Sequence, residues 1–306
     1  MSDRTADIAT DRRANLRGSL WMIGAMAAFA VEDSLLKAAA RTLPVAEVLI
    51  LFGLGGALLF AVVARLQGAR LFVPEILSPT MRIRAVFEVS GRLFYMLAIA
   101  LTPLSGATAI LQATPIVVVL GAALVFGEKV GWRRWAAILI GLCGVLVIVQ
   151  PGSEDFSALS ILAVLGVIGF AGRDLASRAS SAAISATILG FYGFCAVVVA
   201  GLLFALYQPE RFLWPDPATS LYMSLAILIG VAAYACLMKA MRSGAVSAVT
   251  PFRYSRLLFG TALGIWVFGE EPTARMLVGS ALIVASGLFI MWRGQRRAVA
   301  SGGKTD

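Results

Sequence analysis

Residues 106–128 read GATAILQATPIVVVLGAALVFGE, and residues 248–270 read AVTPFRYSRLLFGTALGIWVFGE. Both are apolar runs that close on the same three residues, Phe126-Gly127-Glu128 and Phe268-Gly269-Glu270, 142 positions apart. A short polar turn and another apolar helix follow each. At the same offset Ala137 meets Gly279, Gly144 meets Ser286 and Gln112 meets Tyr254. The repeat divides the chain into halves, residues 18–149 and 158–292, flanked by tails at 1–17 and 293–306.

The rest of the sequence has the same character. Of its 306 residues 59% are hydrophobic and only 14% charged, with a mean hydropathy of +0.87. Soluble domains run nearer about 45–50% and about 25%, so a lipid bilayer is the natural solvent. Ten helices are read at 18–39, 46–64, 82–102, 105–126, 133–149, 158–177, 183–206, 218–240, 246–268 and 273–292. Spans of about 20 residues leave no room for a large soluble domain. The breaks carry Gly, Pro or charge, as in Gln150-Pro-Gly-Ser-Glu-Asp155, and only 65–81 is long enough for an interfacial segment. The tail Met1–Arg17 is polar, is expected to be mobile, and does not resemble a cleavable signal.

Lysine and arginine set the orientation. With the N-terminus in the cytoplasm, nineteen of the 26 basic residues fall on the cytoplasmic side and four outside, while Arg92, Arg253 and Arg256 lie within helices. This bias puts both termini inside and accounts for the net charge of +9 without any nucleic-acid partner. Five helices per half is an odd number, so the second half is expected upside down relative to the first. Inverted repeats of this kind recur in secondary transporters, with the site near the midplane between the halves.

There is no histidine, which excludes a Ser-His-Asp triad, a His-ligated metal and a His proton relay. Cys143, Cys195 and Cys236 all sit in apolar runs and form no Cys-x-x-Cys pair. No catalytic group, metal site or cofactor is indicated, and no phosphate-binding Gly-x-x-x-x-Gly-Lys run points to ATP drive.

Helices 4 and 5 carry Gly106-Ala-Thr-Ala-Ile-Leu-Gln-Ala-Thr-Pro115, Phe-Gly-Glu128, Trp132-Arg-Arg-Trp135 and Gly141-Leu-Cys-Gly144. Helices 9 and 10 carry Gly244-Ala-Val-Ser-Ala-Val-Thr-Pro251-Phe-Arg-Tyr254 and Phe-Gly-Glu270-Glu-Pro272. Over residues 18–292 this resembles the EamA-type members of the drug/metabolite transporter superfamily. The resemblance implies an all-α integral membrane protein with ten transmembrane helices as a 5+5 inverted repeat, located in a bacterial inner membrane. It implies a central cavity lined by helices 1–4 and 6–9, with 5 and 10 at the periphery. It further implies metabolite transport, most often amino-acid export, while some relatives take up S-adenosylmethionine or riboflavin. Pro251-Phe-Arg-Tyr254 looks like that second branch.

Charges within the helices are the candidate site. A charge at the bilayer centre costs ~2.5–3.5 kcal/mol on insertion scales, so each needs a partner, water or a role. Glu88 and Arg92 share a face of helix 3 at i,i+4 spacing, with Tyr95 beside them. They read either as a self-neutralising pair or as contacts for a substrate carboxylate and amine. Arg253 and Arg256 have no acid on their own helix. Pro251 weakens the start of that helix, and Phe252 and Tyr254 suit a planar substrate. An interior Arg253–Glu88 bridge is the plain alternative. Asp33 and Lys37 read as a structural pair on helix 1, while Glu32, one step round, is a proton or cation candidate alongside Glu88. Gln112 and Trp21 complete the candidate binding set, although Trp21 also suits an interfacial anchor. Glu47 reads as complementing a helix N-terminus, Arg173, Asp174, Lys239 and Arg242 as a cytoplasmic rim, and Glu128 and Glu270 as caps of the helices that follow them. Gly141, Gly144, Gly279, Ser286 and Gly287 allow close helix approach, in internal packing or in a homodimer.

Three function classes fit this pattern unequally. A secondary transporter of small polar metabolites, amino acids foremost, uses the deep arginines and the repeat. A membrane-embedded enzyme lacks its catalytic groups, and a scaffold leaves the deep charges without a purpose.

Overall fold

The computed structural model describes residues 2–127, 131–150, 157–179, 184–243 and 249–302. Among the described residues the regular structure is helical: α1 (Ser2–Ala39), α2 (Val45–Leu66), α3 (Pro79–Leu101), α4 (Leu104–Leu111), α5 (Thr114–Val125), α6 (Trp132–Val149), α7 (Ser160–Ala179), α8 (Ala186–Tyr207), α9 (Pro217–Ser243), α10 (Ser255–Phe268) and α11 (Ala274–Gly302). Two 3-10 turns, Pro74–Leu77 and Thr250–Tyr254, precede α3 and α10. The expected polar tail is not separate: α1 runs unbroken from Ser2, and α11 likewise runs on to Gly302.

Local chemistry fixes the ends. Ser78 caps α3 by accepting from the Met81 amide at 3.4 Å, with Pro79 in the first turn, where its missing donor costs nothing. Asp216 caps α9 by accepting from the Thr219 amide at 2.6 Å, and that hydrogen bond holds its exposed carboxyl below the usual range. α10 stops because Gly269 sits at φ +66°, with the Gly269 and Glu270 amides turned back onto the carbonyls of Ile265 and Gly264. Gly127, in the same repeat motif, sits at φ +64°. The shared Phe-Gly-Glu therefore has a backbone cause, since left-handed geometry at a helix end favours glycine.

Among the described residues six helical stretches are long and apolar enough to cross a membrane: 13–39, 45–66, 104–125, 160–177, 186–207 and 217–240. Large apolar side chains such as Leu58, Leu124, Leu206 and Trp266 stand exposed on their outer faces, as a lipid-facing surface requires. The other four expected spans fall short for visible reasons. α3 carries Arg82, Arg84, Glu88 and Arg92, α10 is shortened by the 3-10 turn before it, and the apolar parts of α6 and α11 are only 135–149 and 274–290.

Packing crosses the halves. α1 lies on α9, α3 on α7, α2 on α8, α4 on α10 and α6 on α11. α3 and α7 cross where a side chain on Gly169 would strike the Gly91 backbone. The small residues of α6 and α11 serve an internal contact: a Cβ on Gly144 would meet the Gly279 carbonyl at 2.7 Å, and Ser286 donates to the Ala137 carbonyl.

Candidate binding cavity and its charges

The helix expected over 105–126 is broken. α4 ends at Leu111, the Gln112 and Ala113 amides turn back to Ala109 and Ile110 at 3.2 and 3.0 Å, and α5 starts with Pro115 in its first turn. The matching helix of the other half is interrupted at the same repeat position, because the 3-10 turn from Thr250 ends at Tyr254. The two breaks touch, with the Gln112 Nε2 amide donating to the Arg253 carbonyl at 3.1 Å. Backbone groups freed at membrane depth need such partners. Tyr254 is buried, and its hydroxyl, pressed toward Gly287, has no hydrogen-bond partner among the described residues.

Beside this junction lies a cavity of about 580 Å³. It sits toward the end of the bundle where α3 and α8 begin and α5, α7 and α9 end. Of the candidates read from the sequence, Glu88, Arg92, Tyr95, Gln112, Arg253, Tyr254 and Arg256 line it. Phe252 does not, since its ring points outward at 40% exposure. Trp21 does not either: it packs beside Met22 and Met26 with Lys239 over its ring at 4.7 Å. The helix assignment also shifts. α2 contributes nothing to the lining because Phe52 and Phe60 are stacked behind Phe194 of α8, whereas the peripheral α11 reaches it through Gly287 and Ile290.

The charges form two clusters. Glu88 receives Arg84 Nη2 at 3.0 Å and Arg173 Nη1 at 3.2 Å, while Arg92 stands off at 3.8 Å. Arg84 also donates to Ser177 at 2.9 Å, and Arg173 holds Asp174 at 2.8 Å. In the second cluster Asp33 accepts from Arg256 at 2.6 Å and from the Tyr95 hydroxyl at 2.9 Å. Glu32, 2% exposed, lies 3.8 Å from Arg92, and among the described residues its Oε2 has no partner. Rings shield the cations: Phe170 lies under Arg92 and Arg173, and Phe29 under Arg256.

The pairings weighed from the sequence hold only in part. Glu88 keeps Arg92 at 3.8 Å, but its closer same-helix partner is Arg84, at i−4. Asp33 turns to Arg256 rather than Lys37. Arg253 does not reach Glu88, and among the described residues its side chain makes no ion pair or hydrogen bond. Sequence reasoning left Arg173 and Asp174 at the cytoplasmic rim and used Arg84 only in the count of cytoplasmic charges. The spacing rule applied to Arg92 fits Arg84 equally well and was the available signal.

The opposite end of the bundle is bound together. Glu270 does not cap the helix that follows it. Its carboxylate crosses to the first half and accepts from the Leu104 and Ser105 amides of α4 at 2.5 and 2.9 Å. Lys37 adds a 3.7 Å ion pair to the same carboxylate and donates to the carbonyls of Ile99 and Thr102 at 3.0 and 2.5 Å. Glu47, also buried, pins the Leu213 amide at 2.9 Å. Glu128 and the Arg242 side chain lie outside the described residues. Among those described, no group of three His, Cys, Asp or Glu side chains is placed to hold a metal ion.

Comparison with known proteins agrees with this architecture. The EamA-like transporter family pattern matches residues 16–150 and again 158–292. A riboflavin transporter of Vibrio cholerae is 29% identical over 90% of this chain and 93% of its own. The pseudopaline exporter CntI of Pseudomonas aeruginosa is 30% identical over 88% of this chain and 94% of its own. An S-adenosylmethionine uptake transporter of Rickettsia prowazekii is 22% identical over 69% and 70%. A solved crystal structure superposes with a TM-score of 0.59 at 21% identity, covering 91% of this chain and 98% of that one, which speaks for the fold alone. With two matched repeats and a multi-pass helical membrane architecture, the chain belongs to the EamA-like transporter family.

Proposed function

We propose that this protein is a secondary transporter that moves an organic metabolite across a bacterial inner membrane through the central cavity. The observation that carries this reading is a charged cavity at the meeting point of two interrupted helices, one from each half. Interrupted helices around a midplane site are a recurring transporter device. The repeats are 18–149 and 158–292, inverted relative to one another, with both termini cytoplasmic. The helix pairings support a two-fold relation between the repeats, since exchanging helices 1–5 for 6–10 returns the same set of contacts; the odd number of helices per repeat argues for the inversion, and the lysine and arginine bias for the termini. Rocking one repeat against the other then exposes the site alternately.

The volume favours a substrate larger than an amino acid. Pockets of ~300–1,000 Å³ enclose drug-sized ligands, and the cavity falls well inside that range. The relatives point the same way, being named for riboflavin, pseudopaline and S-adenosylmethionine. Amino-acid export, the expectation of the sequence, is the smaller-substrate reading. Glu32 is the coupling candidate preferred over Glu88. Three arginines surround Glu88, whereas Glu32 has one distant arginine and an unpartnered oxygen, so its charge state can change with the position of Arg92.

Counterflow in proteoliposomes tests the proposal. Vesicles loaded with unlabelled metabolites, amino acids included, are offered labelled partners. Exchange of a larger metabolite is the expected result. Exchange confined to amino acids restores the export reading, and no exchange by folded protein overturns transport. In the same vesicles Glu32→Gln is expected to remove the response to an imposed pH gradient while sparing exchange; an unchanged response removes Glu32 from the coupling role.

A further inference from the structure

Charge counting in the cavity narrows the substrate class, an inference that rests on the transporter reading above. Five arginines line the cavity: Arg84, Arg92, Arg173, Arg253 and Arg256. Four carboxylates stand against them. Glu88 and Asp174 lie on the wall, and Glu32 and Asp33 lie just behind it. Each of the four is engaged by an arginine other than Arg253. Glu88 takes Arg84 and Arg173, Asp174 takes Arg173, Asp33 takes Arg256, and Glu32 faces Arg92.

Among the described residues Arg253 is the remaining cation of the cavity. The acid whose field reaches it is Asp174, already held by Arg173 at 2.8 Å. Its backbone is fixed by Gln112 across the two helix breaks, so the guanidinium is anchored without being neutralised. An uncompensated guanidinium at membrane depth is costly, and a fork of donors is suited to a carboxylate or phosphate oxygen pair. We propose that the cavity is built for an organic substrate with one net negative charge, and that Arg253 receives its anionic group. This excludes sulfonium metabolites with a net positive charge, such as S-adenosylmethionine, and ranks neutral compounds below their acids. It also separates Arg253 from Arg92 and Arg256, whose charges are already matched inside the protein.

The test uses one aromatic skeleton in three charge states: indole-3-acetate, indole-3-acetamide and tryptamine. Binding is titrated by isothermal calorimetry, and by thermal shift read from light scattering, on the full chain in phosphatidylcholine nanodiscs. The acid is expected to bind roughly tenfold more tightly than the amide, the scale of one charge-assisted hydrogen bond, and the amine to bind weakest. Arg253→Gln, checked for folding by its own melting curve, is expected to lose that preference, and Arg253→Lys to keep part of it. Equal binding of all three, tighter binding of the amine, an unchanged preference in Arg253→Gln, or no binding of the acid at 10 mM each overturn the proposal. A preference that vanishes when phosphatidylglycerol is added assigns the site to a lipid headgroup and overturns it as a substrate site. Counterflow with the same protein variants reconstituted in proteoliposomes keeps the two readings apart. Transport without an acid preference removes the charge assignment alone, and acid binding without transport removes the transporter reading alone.

Discussion

The two ends of the bundle handle a buried carboxylate in opposite ways. At the end away from the cavity, Glu270 is saturated by two backbone amides from the other half, with Lys37 beside it. At the cavity end, Glu88 has side-chain partners only, and Arg92 stands at 3.8 Å. A carboxylate bound to backbone amides fixes two rigid elements relative to one another. One bound to long side chains can exchange partners as helices slide. The first arrangement ties the halves together, and the second lines a space in which a ligand can compete for the same cations.

The largest effect is expected at Glu88. Glu88→Gln leaves Arg84 and Arg173 without their shared anion, and removing one partner of a buried pair costs ~3–5 kcal/mol. Unfolding in mixed micelles should register a loss of that order. A loss below about 1 kcal/mol, the size of an exposed pair, would mean that water fills the cavity well enough to screen the cluster, and the contrast between the two ends would disappear.

Glu270→Gln comes next. It keeps one acceptor oxygen for α4 but loses the second amide bond and the ion pair, for a cost of ~1–3 kcal/mol. Its sharper signature is positional. A cysteine at Ser105 should react several-fold faster with a membrane-impermeant maleimide when Glu270 is Gln, because that end of the bundle loosens. Unchanged labelling would show that Lys37, through its bonds to the Ile99 and Thr102 carbonyls, ties that end without Glu270.

Legibility in the sequence divides along the same line. Apolar runs, Gly turns and the Phe-Gly-Glu repeat are local, and they pointed to the helices and their pairing into halves. Glu270 itself was visible as a capping residue, but which helix it caps depends on how the halves meet. Asp33 and Lys37 are correctly spaced to pair, yet each finds a better partner 62 or more residues away. The break at Gln112 had a local signal in Pro115, which inside a helix over 105–126 removes a backbone donor and clashes with the turn before it; the bond from the Gln112 side chain to the Arg253 carbonyl is visible only in the fold.

Gln112→Ala should therefore have a modest effect on folding and a larger one on function. One hydrogen bond between membrane helices contributes ~0.6 kcal/mol on average, close to the limit of unfolding measurements. The same bond anchors Arg253, so exchange in counterflow should fall several-fold while the melting temperature hardly moves. Equal losses in both would make Gln112 an ordinary packing residue.

The smallest effect is expected at Phe252, the neighbour of Arg253 that sequence reasoning put in the binding set. Its ring points away from the cavity, while the two residues after it point inward. The tight winding of the 3-10 turn separates these directions, since consecutive residues advance by a third of a turn. Phe252→Ala should leave counterflow within twofold of the parent, and Tyr254→Phe, which removes only an unpartnered hydroxyl, should weaken it more. The reverse order would mean that the turn rewinds during transport and carries Phe252 into the site, making the cavity end more mobile than its present ion pairs indicate.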